Sequence, residues 1–380
     1  MRVGINAYLL SNPSLRGWNR YTLNLVRALA DLGLELMLYL NRPMHPAHQE
    51  ALKGVAGIVV APPMRYAIWE QRWLPRQCRN GSVDLLHSTF NYGLPVMCPC
   101  PRVLTLHDAI DSAMAGQRSL FESIKPSSLL SQLRHHTSRR VADRLITVSE
   151  YSRRDIVARL GVDGSRLDVV YGAADPRFTE PISQEHRDQV RQRYGLDRPF
   201  VFYVGGWEER KNVPFLVRAF ADAGLRDHDL LLAGGSEAQQ QTIADLAASR
   251  GIDRQVKMLG WVDDRDLPAL YASALCFVYP SMYEGFGLQL CEAMATGCPI
   301  FAADAASLPE VLGDGGKLFP LSSTDGLAKQ LRHIAADDSF RESLQSRARN
   351  RSSQFCWNRA AEETREIYRR AIAAHSVSSQ

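Results

Sequence analysis

The chain has 380 residues, more than one ordinary core takes up, and its 45% apolar and 23% charged residues are a globular rather than a disordered or fibrous composition. The formal net charge of +4 is uneven: residues 1–175 hold 21 Lys/Arg against 14 Asp/Glu, and the remainder 24 against 27. A basic first half suits an acidic partner or an anionic membrane surface, though scatter of surface charge explains it equally well, and no nucleic-acid partner is expected.

Residues 3–7 read as a buried strand, and 19–32 have helical spacing that stops at Gly33. Strands follow at 34–40, 83–87, 103–107, 144–149 and 167–171, with helical stretches between several of them. Residues 176–199 are charged and read as a connection with a short helix at 184–194. The pattern then restarts, with strands at 200–204, 230–233, 256–259, 275–279 and 300–303 and helices at 213–223, 238–249, 266–272 and 288–296. A last amphipathic helix spans 357–374.

Strands alternating with helices predict parallel sheets covered on both faces. The expected fold is α/β, with two Rossmann-like doubly wound domains, 1–175 and 176–356, and the last helix packing back on the first domain. Such sheets bind ligands just after their strands, here facing a shared cleft. The start of the sequence lacks a signal-peptide pattern, and the run 34–40 is too short to span a bilayer and carries Glu35. A cytoplasmic protein, at most peripheral on a membrane, is expected. Seven scattered cysteines fit reduced thiols; Cys98 and Cys100 are too close together for a zinc ribbon, and no second pair matches them.

The most informative segment runs Tyr279-Pro280-Ser281-Met282-Tyr283-Glu284-Gly285-Phe286-Gly287-Leu288-Gln289-Leu290-Cys291-Glu292. Gly285 and Gly287 permit a tight turn and close approach to a ligand, and N–H groups of the Phe286–Leu288 turn open an anion-binding helix end. Glu284 on the loop and Glu292 one turn into the helix frame a polyhydroxylated ligand, one on a sugar and one on a ribose. These residues resemble the E-x7-E signature of the retaining glycosyltransferases of family 4, which have the GT-B fold. The likeness covers nearly the whole chain and is nearest in character to bacterial mannosyl- and rhamnosyltransferases of polysaccharide assembly.

The resemblance implies a donor that is a nucleotide diphosphate sugar, a glycan or lipid-linked glycan acceptor, retention of configuration and no metal or other cofactor. Charge on the departing diphosphate then falls to Arg210 and Lys211, in Val204-Gly205-Gly206-Trp207-Glu208-Glu209-Arg210-Lys211-Asn212. Many relatives carry Arg where this chain has Gly206 or Trp207, so one phosphate contact is supplied from elsewhere or lost. In Leu15-Arg16-Gly17-Trp18-Asn19-Arg20-Tyr21 the family's glycine-rich loop is matched at Gly17, Arg20 and Tyr21, and Arg16 is a candidate to restore the missing charge. His107 at the end of the strand 103–107 is expected to hydrogen-bond the transferred sugar.

The base is expected near Gly234, Gly235, Trp261 and Val262. Glu310 in Ser307-Leu308-Pro309-Glu310-Val311 lies near the nucleotide in relatives and is as readily structural. His87 is either acceptor-side or structural, Ser149 an N-cap, and Asp263-Asp264 another N-cap rather than a metal-binding pair. Arg134, His135, His136, Arg139 and Arg140 make a basic helix suited to anionic lipid or simply to water. The rival readings are a nucleotide-sugar epimerase on the same scaffold, a UDP-sugar-dependent transferase, and an inactive sugar-nucleotide binding module.

Overall fold

The apolar runs form two all-parallel sheets in a computed structural model that describes residues 1–12, 17–113 and 126–378. The first sheet comprises β1 (Arg2–Asn6), β2 (Glu35–Leu40), β3 (Gly57–Val60), β4 (Leu85–Ser88), β5 (Arg102–Leu106), β6 (Arg144–Thr147) and β7 (Leu167–Val169). Their order is β3-β2-β1-β4-β5-β6-β7. The second comprises β8 (Phe200–Val204), β9 (Asp229–Ala233), β10 (Val256–Gly260), β11 (Cys276–Tyr279), β12 (Ile300–Ala303) and β13 (Lys317–Phe319), ordered β10-β9-β8-β11-β12-β13. Central strands are buried almost end to end because helices cover both faces: Val3, Ile5, Leu85, Leu86, Phe202 and Phe277 are fully buried.

The chain divides into two compact units, Met1–Gly172 with Cys356–Gln380, and Ala173–Phe355. Within the first, the last helix, Trp357–Ser378, packs on the helix Gly17–Asp31 and on β4, β5 and β6. In each sheet the strand order reverses once, between β1 and β4 and between β8 and β11. Those reversals open crevices at the carboxyl ends of neighbouring strands, the places where such sheets bind ligands.

The edge strands β3 and β13 were not expected. Each is only three or four residues long: β3 carries a short apolar run, Ile58-Val59-Val60, but is largely exposed, and β13 is too short to show either a run or an alternation. Ser149 does cap the helix Glu150–Leu160, accepting from the Ser152 N–H at 2.9 Å. Asp263-Asp264 does not cap a helix. The helix Leu267–Ser273 starts later, with Asp266 at its N-cap, while Asp263 accepts from the Arg265 N–H at 2.9 Å and closes an earlier turn. Asp266 is held instead by Arg193 at 2.6 Å and Tyr194 at 2.9 Å. Among the described residues no helix is long and apolar enough to cross a membrane.

Candidate active site

In the second unit β8 and β11 are parallel neighbours, so the turn after one lies beside the loop after the other. The turn is a single 3-10 turn, Glu209–Lys211, ended by Asn212 in the left-handed region at φ 54°. The loop ends at Gly287, whose φ of 98° starts the helix Leu288–Thr296. Met282 N–H donates to the Arg210 carbonyl at 2.7 Å, and Ser307 Oγ lies 2.9 Å from the Glu284 carbonyl and 3.1 Å from that of Phe286. Residues seventy positions apart are thus locked into one frame.

The Glu284 carboxylate sits at its centre. Its Oε1 accepts from Lys211 Nζ at 2.6 Å, Arg210 Nη1 at 3.2 Å and Ser281 Oγ at 2.6 Å, with the Tyr279 hydroxyl at 3.0 Å. Lys211 is only 6% exposed and also donates to the Tyr279 hydroxyl at 3.0 Å. Burial pushes the Glu284 carboxyl up, but Lys211 and then Arg210 outweigh it and hold it below its ordinary value. The tyrosine goes the other way: burial and the Glu284 charge lift Tyr279 well above its usual range, so its hydroxyl stays protonated. The group is two cations and one carboxylate, a net positive centre at the head of a nine-residue helix. It suits an anion carrying a hydroxylated substituent.

Arg210, Lys211 and Glu284 are therefore brought together, whereas Glu292 is set apart. It is 3% exposed and accepts from the Tyr271 hydroxyl at 3.1 Å. Gly285 and Phe286 are buried within the loop. Gly205 and Gly206, after β8, meet Gly234 and Gly235, after β9. A Cβ on Gly234 would stand 2.1 Å from the Gly205 carbonyl oxygen, and one on Gly235 2.5 Å from the Trp207 ring. Trp207 is 8% exposed and lies over this glycine pair, donating to the Ala233 carbonyl at 3.4 Å. Trp261 is 70% exposed beside buried Val262. Gly234→Ala should destabilise this unit by at least about 2 kcal/mol, since φ is 107° and the clash is with backbone. A denaturant midpoint equal to wild type would contradict that packing.

In the first unit His107 follows β5. It is 7% exposed, stacked on Trp18 at 5.6 Å and set edge-on to Tyr21 at 4.8 Å. Both aromatics come from the first turns of the helix that begins at exposed Gly17. Arg16 lies outside the described residues. His107 Nε2 is 2.8 Å from the Thr89 carbonyl, an acceptor only, so this nitrogen carries the proton and Nδ1 the lone pair. Burial lowers its pKa to about 4 despite that carbonyl, which keeps it neutral at pH 7. His87 is fully buried between the Tyr368 hydroxyl at 2.7 Å and Thr105 Oγ1 at 2.8 Å. It ties β4 to the last helix, which makes it structural. Glu310 lies in the short helix Leu308–Leu312, and Arg351 donates to its carbonyl at 2.6 Å.

Three things were missed in the sequence. Tyr279 and Ser281 complete the Glu284 cluster, although only their places at and just after the end of a strand marked them. An aromatic group joins Tyr8, Tyr66, Trp69 and Tyr92, with the Arg134 guanidinium 4.5 Å over the Tyr66 ring and buried Glu70 accepting from the Tyr66 hydroxyl at 3.2 Å. Arg134 is thus engaged within the protein rather than standing on a purely solvated face. Cys78 lies beside Cys98 and Cys100.

Residues 186–351 match the family described as Glycosyl transferases group 1, and residues 15–178 match Glycosyltransferase Family 4. The chain is 32% identical over 239 residues to O-antigen chain mannosyltransferase B of Escherichia coli, an alignment spanning 62% of each chain, under two thirds of that relative's length. It is 27% identical to a D-inositol 3-phosphate glycosyltransferase of Corynebacterium aurimucosum across 94% of this chain and 91% of that one. A solved structure of Anabaena HepE in complex with UDP and glucose shares the fold with a TM-score of 0.73 at 19% identity, covering both chains in full. The chain belongs to the group 1, family 4 glycosyltransferases and has their GT-B fold of two parallel-sheet domains.

Proposed function

We propose that the protein is a retaining, metal-independent hexosyltransferase. It moves mannose or a related sugar from a GDP-sugar to a glycan or lipid-linked glycan in cell-surface polysaccharide synthesis. The observation that carries the reading is the convergence of Lys211 and Arg210 on Glu284 at the carboxyl ends of β8 and β11. The sugar assignment leans on the mannosyltransferase relative, named for O-antigen synthesis.

Each group has a distinct task. Lys211 and Arg210 take up charge as the glycosyl–phosphate bond breaks, joined by N–H groups at the start of the helix Leu288–Thr296. Glu284, ionised by those two cations, accepts from sugar hydroxyls. His107, with its Nε2 proton committed to Thr89, can only accept through Nδ1, so it orients a hydroxyl of the transferred sugar and donates no proton at pH 7. Glu292 is assigned to the ribose. The departing phosphate takes the acceptor's proton, since the Glu284 carboxylate, held below its ordinary pKa by Lys211 and Arg210, is a weak base. The aromatic group around Tyr66 and Arg134 fits the apolar faces of an acceptor sugar.

Calorimetric titration against GDP, UDP and ADP tests the donor: GDP should bind most tightly, and preference for UDP would replace the donor assignment. Release of nucleotide diphosphate should require acceptor and should persist in excess EDTA without added Mg2+ or Mn2+. Conversion of the donor without any acceptor would favour an epimerase.

A further inference from the structure

The first unit holds a second cluster of reactive side chains that glycosyl transfer does not use. Cys78 comes from the helix Leu74–Asn80, and Cys98 and Cys100 from the segment leading into β5. The three sulfurs all lie within 4.8 Å of one another, with Cys98 Sγ 3.6 Å from Cys100 Sγ. Cys78 and Cys100 are 1% and 5% exposed, whereas Cys98 is half-buried and opens the group toward solvent.

We infer that Cys78, Cys98 and Cys100 form a binding site for a single thiophilic metal ion, Zn2+, through three thiolates.

Four observations support it. Around one zinc at a Zn–S distance of roughly 2.3 Å, sulfurs sit roughly 3.8 Å apart, close to the separation of Cys98 from Cys100. A disulfide would need those sulfurs to close to about 2.05 Å across a single intervening residue. Cys98 precedes Pro99 and Cys100 precedes Pro101, which restricts the backbone of both thiol-bearing residues and so lowers the entropy lost on chelation. Cys78 and Cys100 belong to the buried core cluster that also holds Tyr39, Val83, Leu86 and Leu104, with Cys98 packed against it, so the donors the three offer are soft sulfurs, which suit zinc rather than hard, oxygen-seeking cations. Zinc takes four ligands, so the fourth position falls to a water on the Cys98 side. Binding displaces the three thiol protons to solvent.

The site stands at the amino end of β5, while His107 follows the carboxyl end of the same five-residue strand, roughly 16 Å away along it. A metal here cannot reach the sugar. Its effect is to pin the loop between β4 and β5 to the helix Leu74–Asn80. That loop begins with Thr89 and Asn91, which hold the His107 ring and backbone at 2.8 Å each.

The test uses the full chain, reduced, stripped with chelator and titrated with Zn2+ alone against a chromophoric competitor. Wild type and Cys356→Ser, which alters an exposed thiol outside the cluster, should bind one ion and gain thermal stability. Cys78→Ser, Cys98→Ser and Cys100→Ser should each bind about a hundredfold more weakly or worse. Co2+ added to wild type should give a thiolate charge-transfer band. Absence of that band, zinc binding unchanged in Cys78→Ser, or a non-reduced mass lower by two hydrogens with no metal bound, which would mean a disulfide, overturns the inference. The first and last need no variant to fold. Loss of zinc should appear in thermal stability and not as an abolished turnover of folded enzyme, which keeps this result separable from the EDTA experiment on transfer.

Discussion

Lys211→Ala should lower turnover by on the order of a hundredfold or more, the consequence of removing one donor to a developing oxyanion, worth roughly 2.7–4 kcal/mol of barrier. Its ammonium is one of the two cations that hold Glu284, and it is nearly inaccessible to water, so bulk solvent does not replace it. The same substitution breaks a buried ion pair, which by itself destabilises a fold by about 3–5 kcal/mol. Turnover must therefore be compared at a temperature where circular dichroism shows both proteins folded. Near-normal turnover in folded Lys211→Ala would dismiss the assigned role.

Glu284→Gln separates the electrostatic part from the structural part. The wild-type cluster of Lys211, Arg210 and ionised Glu284 carries one net positive charge; with glutamine it carries two. Free nucleoside diphosphate should then bind more tightly to Glu284→Gln and less tightly to Lys211→Ala, while both lose turnover. A purely structural ion pair predicts weaker binding in both. Opposite signs in calorimetry are the outcome that the charge argument requires.

That cluster was only half legible in the sequence. Lys211, Arg210 and Glu284 each follow an apolar run, and residues after strands in a doubly wound sheet are where ligands go. What made them one site is the adjacency of β8 and β11, a long-range pairing that no local pattern encodes. The same gap explains Cys78: its two partners are twenty residues on, and only the packing of its helix against the segment before β5 brings them near. His87 shows the converse. Its place after a strand resembled that of His107, yet Tyr368 of the last helix seals it from water. Burial by a distant element decides between a site residue and a structural one, and a strand pattern carries no record of it. Edge strands β3 and β13 failed for a local reason, because three or four residues are too few for a pattern to mark a strand.

The stability of the first unit should fall steeply as pH drops from 6.5 toward 4. Burial takes the His107 pKa from an ordinary 6.5 to about 4, and burial followed by repulsion from His107 takes His87 to about 3. In the unfolded chain both imidazoles take up protons near 6.5; in the folded unit they do not until far lower pH. Between those values the unfolded state binds more protons, so stability is full above 6.5 and is lost as pH falls through the window. At about 1.4 kcal/mol per unit, His107 alone contributes roughly 3 kcal/mol, a large share of a domain's 5–15 kcal/mol. Denaturant midpoints at pH 7, 6 and 5, followed through Trp18, which stacks on His107, should fall at each step, and less steeply in His107→Asn. Activity per folded molecule should show no ionisation near 6.5, because the His107 ring is already neutral across that range. Midpoints that stay level from pH 7 to 5 would mean that these rings are wet, and with that the orientation of Nδ1 as a hydroxyl acceptor would lose its physical basis.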